Sequence, residues 1–257
     1  MSLPSIELFK QRFFDYSKRY QDIIDSDKFG ALTHKIRHTE RVLAVAEHIA
    51  QSINLDGELY LGTQCAALFH DCGRFEQYKQ FKTFADRQSV DHGDLGVKII
   101  REENFLAGLP DKLAESVIFA VSVHNKRMIP ESDDKDGILF AQITRDADKL
   151  DILDFLSDYY VKRKAGLINP VYELFMEDKP EISESLCRSL LAGECGKYSD
   201  AKTLNDFKLT QIGLFYDINF PASFKITLEK KHLDMLLDSL PHEQFPVIKE
   251  IYGKVLN

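Results

Sequence analysis

A chain of 257 residues, 44% hydrophobic and 29% charged, can bury a sizeable core as one large domain or a main domain with an appendage. Its formal charge of −8 disfavours nonspecific nucleic-acid binding, which depends on neutralising phosphates, but is compatible with a local basic pocket. Four cysteines without CxxC spacing make no disulfide framework, no 18-residue uncharged stretch offers a membrane span, and the opening MSLPSIELFKQRFF lacks the apolar run of a signal peptide, so a soluble, cytoplasmic protein is expected.

Residues 6–24 read as an amphipathic helix. Residues 33–53 read as the clearest one, with Val42, Val45, Ala46, Ile49, Ala50 and Ile53 on one face. Next comes LYLGTQCAALF, apolar enough to be a buried helix, which runs into His70-Asp71 and then Cys72-Gly73-Arg74. A carboxylate at the end of a buried segment is tolerated only when paired or bound to metal, so this helix is expected to deliver two metal ligands. Residues 72–91 lack steady periodicity and read as a long loop, with room for a short helix; a loop that long is usually functional or disordered.

Asp91 is placed to cap a helix through about residue 103, and Pro110 opens the next, through about residue 125. The polar segment 130–137 precedes a long helix over 138–164. Gly166, Asn169 and Pro170 punctuate the chain there. Further helical patterns flank the Gly/Ser/Asp-rich stretch 193–202. A helix carrying Leu233, Leu236, Leu237 and Leu240 follows Pro221, and Pro241 opens the last segment. Strand-like alternation is scarce, so the expected fold class is all-α: a helical bundle over residues 1–165 and a helical C-terminal appendage, 166–257, packed on it.

Ligand-type residues recur where the helical period demands core residues. His38 continues the stripe of Val42. His92 heads the face of Leu95, Gly96, Ile99 and Ile100, and His124 closes the face of Leu113, Val117, Ala120 and Val121. Asp148 shares a side with Ala141, Ile152 and Phe155. Taken singly, each has an ordinary explanation, as a core histidine, a cap or an acidic solvent face; the conjunction points to metal, since facing helices of a bundle commonly house such sites. Periodicity leaves His34 open beside His38, and Asp146 open beside Asp148, with Asp151 a poorer rival. His48, His232 and His242 read as surface or packing residues.

In this order the residues resemble the HD-domain superfamily of metal-dependent phosphohydrolases, whose H…HD…D pattern falls on His38 (HTERV), His70-Asp71 (LFHDCGRF) and Asp148 (DADKLD). The resemblance selects His38 over His34 and Asp148 over Asp146. His92 in DHGDLG and His124 in VHNKR match the extra histidines of members with a second metal. FKTFADRQSVDHGDLGV is similar to a stretch found after HDxGRF in bacterial members.

It implies one or two divalent ions, Mn, Fe, Mg, Co, Ni or Zn. His38, His70, Asp71 and Asp148 would hold the first, and Asp71 would bridge to a second on His92 and His124. Asp71, Arg74 and Lys149 would act in catalysis. Arg74, Lys126, Arg127 and Lys149 lie close in sequence to the ligands and are candidates for binding a small phosphorylated substrate such as a nucleotide. No membrane or nucleic-acid partner is implied, and a homo-oligomer is compatible. Two other readings use the same residues: a di-iron oxygenase, and a non-catalytic metal- and nucleotide-binding regulatory module.

Overall fold

The computed structural model describes residues 3–28, 30–168, 172–173 and 176–256. Among them no strand forms; Glu177 and Thr203 make an isolated parallel bridge. The protein is all-α, as its periodicity predicts. No helix among the described residues is long and apolar enough to cross a membrane. The chain divides into two compact units, residues 1–151 and 152–257. The division falls inside a helix, ahead of the Gly166 punctuation used to draw the expected boundary. Gly166 itself has φ +95°, and Asn169 and Pro170 lie outside the described residues.

The first unit holds α1 (Ile6–Lys18), α2 (Gln21–Ser26), α3 (Ala31–Ser52), α4 (Gly57–Phe69), α5 (Gly73–Phe81), a 3-10 turn over Asp86–Gln88, α6 (His92–Glu102), α7 (Asp111–Val123) and the first part of α8 (Lys135–Lys164). The single helix expected over 6–24 is broken at Arg19 and Tyr20 into α1 and α2. α4 is buried at every position from Leu61 to Phe69, because α3, α7 and α1 pack around it. An aromatic cluster surrounds it. Phe75 meets Phe13, Tyr16 and Tyr20, and Phe69 stacks on Phe105 at 5.0 Å.

Residues 72–91 are more ordered than a loop. α5 escapes periodic detection because its buried residues, Gly73, Phe75 and Gln77, are spaced by two. The Asp91 carboxylate does cap α6, accepting from the Asp94 amide at 3.0 Å, a bond worth about 1 kcal/mol. α5 and α6 cross at Gly73. A Cβ there would lie 2.3 Å from the His92 carbonyl oxygen and 2.8 Å from the Gly96 amide nitrogen, so only glycine lets the two backbones approach this closely.

The second unit holds the rest of α8 with α9 (Glu184–Leu191), α10 (Leu204–Gly213), α11 (Pro221–Glu229), α12 (His232–Asp238) and α13 (Val247–Leu256). Its core combines aliphatic residues, among them Leu153, Leu186, Leu190, Leu204, Ile212, Leu236, Ile248 and Ile251, with the aromatic Tyr159, Tyr160, Phe207 and Phe215. Thr203 and Asp206 form a capping box on α10. The helix expected after Pro221 is split into α11 and α12 by Lys231, which takes φ +56°.

Candidate metal centre

Four imidazoles and two carboxylates of the first unit converge. α3 supplies His38, the turn after α4 supplies His70 and Asp71, the head of α6 supplies His92, the end of α7 supplies His124, and α8 supplies Asp148. His38, His70, Asp71, His92 and His124 are all buried; the Asp148 side chain is 22% exposed. The two histidine pairs lie on opposite oxygens of Asp71. Oδ2 is 3.5 Å from His38 Nε2 and 3.6 Å from His70 Nε2. Oδ1 is 3.4 Å from His92 Nε2 and 3.8 Å from His124 Nε2. Asp148 Oδ1 joins the first pair, 3.0 Å from His38 Nε2 and 3.8 Å from His70 Nε2.

Each Nδ1 has an acceptor of its own, and this fixes what the Nε2 atoms can do. His70 Nδ1–H donates to the Ala67 carbonyl at 2.7 Å, and His124 Nδ1–H to the Val121 carbonyl at 2.7 Å. His38 Nδ1–H donates to Asp151 Oδ2 at 2.7 Å, and His92 Nδ1–H to Asp86 Oδ2 at 2.6 Å. Assigned from these partners, the neutral tautomers carry their proton on Nδ1 and leave a lone pair on every Nε2. The lone pairs then face each other, 3.2 Å apart in one pair and 3.0 Å in the other, where no hydrogen bond can form between them. Donors bound about 2.0–2.2 Å from a common ion sit roughly 3–3.5 Å apart, which is close to these separations. The donor set fits a divalent cation on each side of Asp71: His38, His70 and Asp71 could hold one, and Asp71, His92 and His124 the other.

The electrostatics agree for His70 and His92, whereas Asp148 and Asp151 favour the charged form of His38. Burial pushes His70 down to about 4 and His92 down to about 3, so both are neutral near pH 7. Burial also opposes charge on His38, but Asp148 and Asp151 outweigh it and raise its pKa. Burial would raise the Asp71 pKa; Lys35, His70 and Arg74 hold it well below the usual carboxylate range instead.

The orienting groups are themselves braced. Arg41 grips Asp151 through Nε at 2.5 Å and a second nitrogen at 2.9 Å. An Arg74 terminal nitrogen donates to Asp86 at 3.0 Å, to Gln77 and to the Phe84 carbonyl, while its Nε reaches Asp71 Oδ1 at 3.3 Å. Arg145, buried on α8, donates to the carbonyls of Val123, His124 and Lys126 and so pins the chain around His124.

Asp151, ranked a rival of Asp148, is its complement: three residues apart on α8, the two carboxylates take opposite nitrogens of His38. His34, the alternative to His38, stacks on it with ring centroids 6.3 Å apart. Lys126 is ion-paired to Asp91 at 2.7 Å and Asp94 at 3.1 Å. Lys149 is buried, its ammonium 4.0 Å from Asp146, and Arg127 is exposed. Arg41, Asp86, Arg145 and Lys35 escaped sequence reasoning. Asp86 sits in an irregular segment, Arg145 looks like an ordinary helix cation, and Lys35 stands 2.6 Å from Asp71 Oδ2.

Compared with known families, residues 36–153 match the HD domain. That span takes in all six residues, and residues 36–153 form an HD domain, the type of domain that characterises a superfamily of metal-dependent phosphohydrolases. Comparison with curated proteins and with solved structures gave no match.

Proposed function

We propose that the protein is a metal-dependent phosphohydrolase acting on a nucleotide or another small phosphate ester. The observation that carries this reading is the convergence of four Nε2 lone pairs on the two oxygens of one buried carboxylate. In the proposal His38, His70, Asp71 and Asp148 hold a first divalent ion, and Asp71, His92 and His124 a second. When bound, such ions supply a water of lowered pKa and compensate the charge on phosphoryl oxygens. The chain itself orients the ligands. Asp151 and Asp86 fix the rings of His38 and His92, and the ends of α4 and α7 fix those of His70 and His124.

Lys35 and Arg74, both against Asp71, favour an anionic substrate over dioxygen, and they weigh for hydrolysis against the oxygenase alternative. Arg74 is held by four partners. Its role is to keep Asp71 and Asp86 in place and to add positive potential at the substrate's edge. The test is elemental analysis of the purified protein, followed by a panel of phosphate esters with Mn, Mg, Co, Ni and Fe. Metal near two per chain with turnover of at least one ester is expected. Metal-replete protein that binds nucleotides without turnover would favour the regulatory module.

A further inference from the structure

Lys35 adds positive potential to the centre, but the proposed chemistry gives it no specific contact with metal or substrate. It precedes His38 on α3, and its Nζ lies 2.6 Å from Asp71 Oδ2, with side chains only 16% and 4% exposed. Oδ2 is the oxygen that faces His38 and His70. The ammonium therefore occupies the donor atom that the first half of the centre needs. A divalent ion bound to the same oxygen would bring two positive charges within a few ångströms in a poorly solvated space, where repulsion is strong. The two compete for Oδ2, and the ammonium, on a long flexible stem, is the one that can move.

Lys35 already has a second contact besides Asp71. Its Nζ is 5.5 Å from the centre of the Phe84 ring, and the Arg74 guanidinium carbon is 5.7 Å from the same ring. A long stem and a compact charge let a lysine swing between partners, whereas Arg74 is pinned by Gln77, Phe84 and Asp86.

We infer that Lys35 is the counter-ion of the metal-free centre, and that a divalent cation displaces its ammonium from Asp71 toward the phosphoryl group of the substrate. The inference rests on the metal-dependent reading above and adds a regulated step to it. In the metal-free protein Lys35 spares Asp71 the penalty of a bare buried charge. In the loaded protein the same ammonium becomes a hydrogen-bond donor to a phosphoryl oxygen, beside Phe84 and Arg74.

The experiment uses the full chain, stripped with a chelator and titrated with Mn²⁺ in a calorimeter. Lys35→Met should bind Mn²⁺ at least about tenfold tighter than the unsubstituted protein, the affinity equivalent of one charge-assisted hydrogen bond. Its metal-free form should melt lower, and inorganic phosphate should bind its Mn²⁺-loaded form more weakly. A second measurement needs no variant: acylation of Lys35, followed by mass spectrometry, should speed up on Mn²⁺ loading and slow again when phosphate is added. Unchanged or weaker Mn²⁺ affinity in Lys35→Met, or unchanged Lys35 labelling, overturns the exchange and leaves the metal centre standing. Failure of the unsubstituted protein to bind Mn²⁺ at millimolar concentration overturns both.

Discussion

The two sides of Asp71 are built on one plan. Each pairs a histidine at a helix end, bonded to the carbonyl three residues back, with a histidine oriented by a carboxylate that an arginine grips: His70 with His38–Asp151–Arg41, and His124 with His92–Asp86–Arg74. They differ in charge. Each oxygen of Asp71 has a cation, Lys35 at Oδ2 on the first side and Arg74 at Oδ1 on the second, but only the first side adds a further carboxylate, Asp148. Orientation is therefore nearly matched, and four proposed ligands against three rank the sides. The first should hold a cation more tightly.

The largest effect tests what the sides share. Asp71→Ala removes the bridge and should lower metal content toward zero and kcat/KM by roughly 10³-fold or more, read by elemental analysis and ester hydrolysis. Retention of both ions would break the common plan. Next comes the ranking: His92→Ala or His124→Ala should leave one ion per chain, while His38→Ala should leave fewer. One ion retained in His38→Ala and none in His92→Ala would invert the order. The orienting carboxylates act more gently and locally. Asp151→Asn should weaken binding on the first side, and Asp86→Asn on the second, by about 10–100-fold, resolved by stepwise calorimetric titration.

The smallest effect is a control in the second unit, away from any proposed ligand. His232 is buried with Nε2 3.0 Å from Asp154. Burial lowers its pKa below the ordinary 6.5 despite that carboxylate. The folded state favours the neutral ring, so this stabilisation is present above pH 6.5 and is lost as pH falls below it. Between about pH 7.5 and 5.5 the unsubstituted protein should lose more melting temperature than His232→Gln; parallel losses would refute the assignment.

Much of this arrangement is legible in the sequence because the proposed ligands lie on periodic helices or just past their ends. Burial recurs along α3 at His38, Val42, Ala46, Ile49 and Ala50, and α4 is apolar enough to announce that whatever follows it is also buried. The orienting residues are harder to find. Asp86 lies in a 3-10 turn with no buried residue, so no period singles it out. Lys35 sits on α3 among charged and polar neighbours and resembles solvent-facing charge until Asp71 is placed beside it. The breaks at Tyr20 and Lys231 carry no proline or glycine, so composition alone extends each helix through them. At Tyr20, buried and bonded to Tyr16 and Glu76, local propensity lost to tertiary contacts.

The crossing at Gly73 sets how this centre could be altered. Main chain meets main chain there, within a residue or two of both Asp71 and His92. A misfit between side chains can be relieved by trimming a neighbour, but a peptide carbonyl has no smaller allele. Substitutions at position 73 should therefore lack second-site suppressors, and attempts to redesign the pocket will meet fewer obstacles by varying the residues lining it than by touching this glycine.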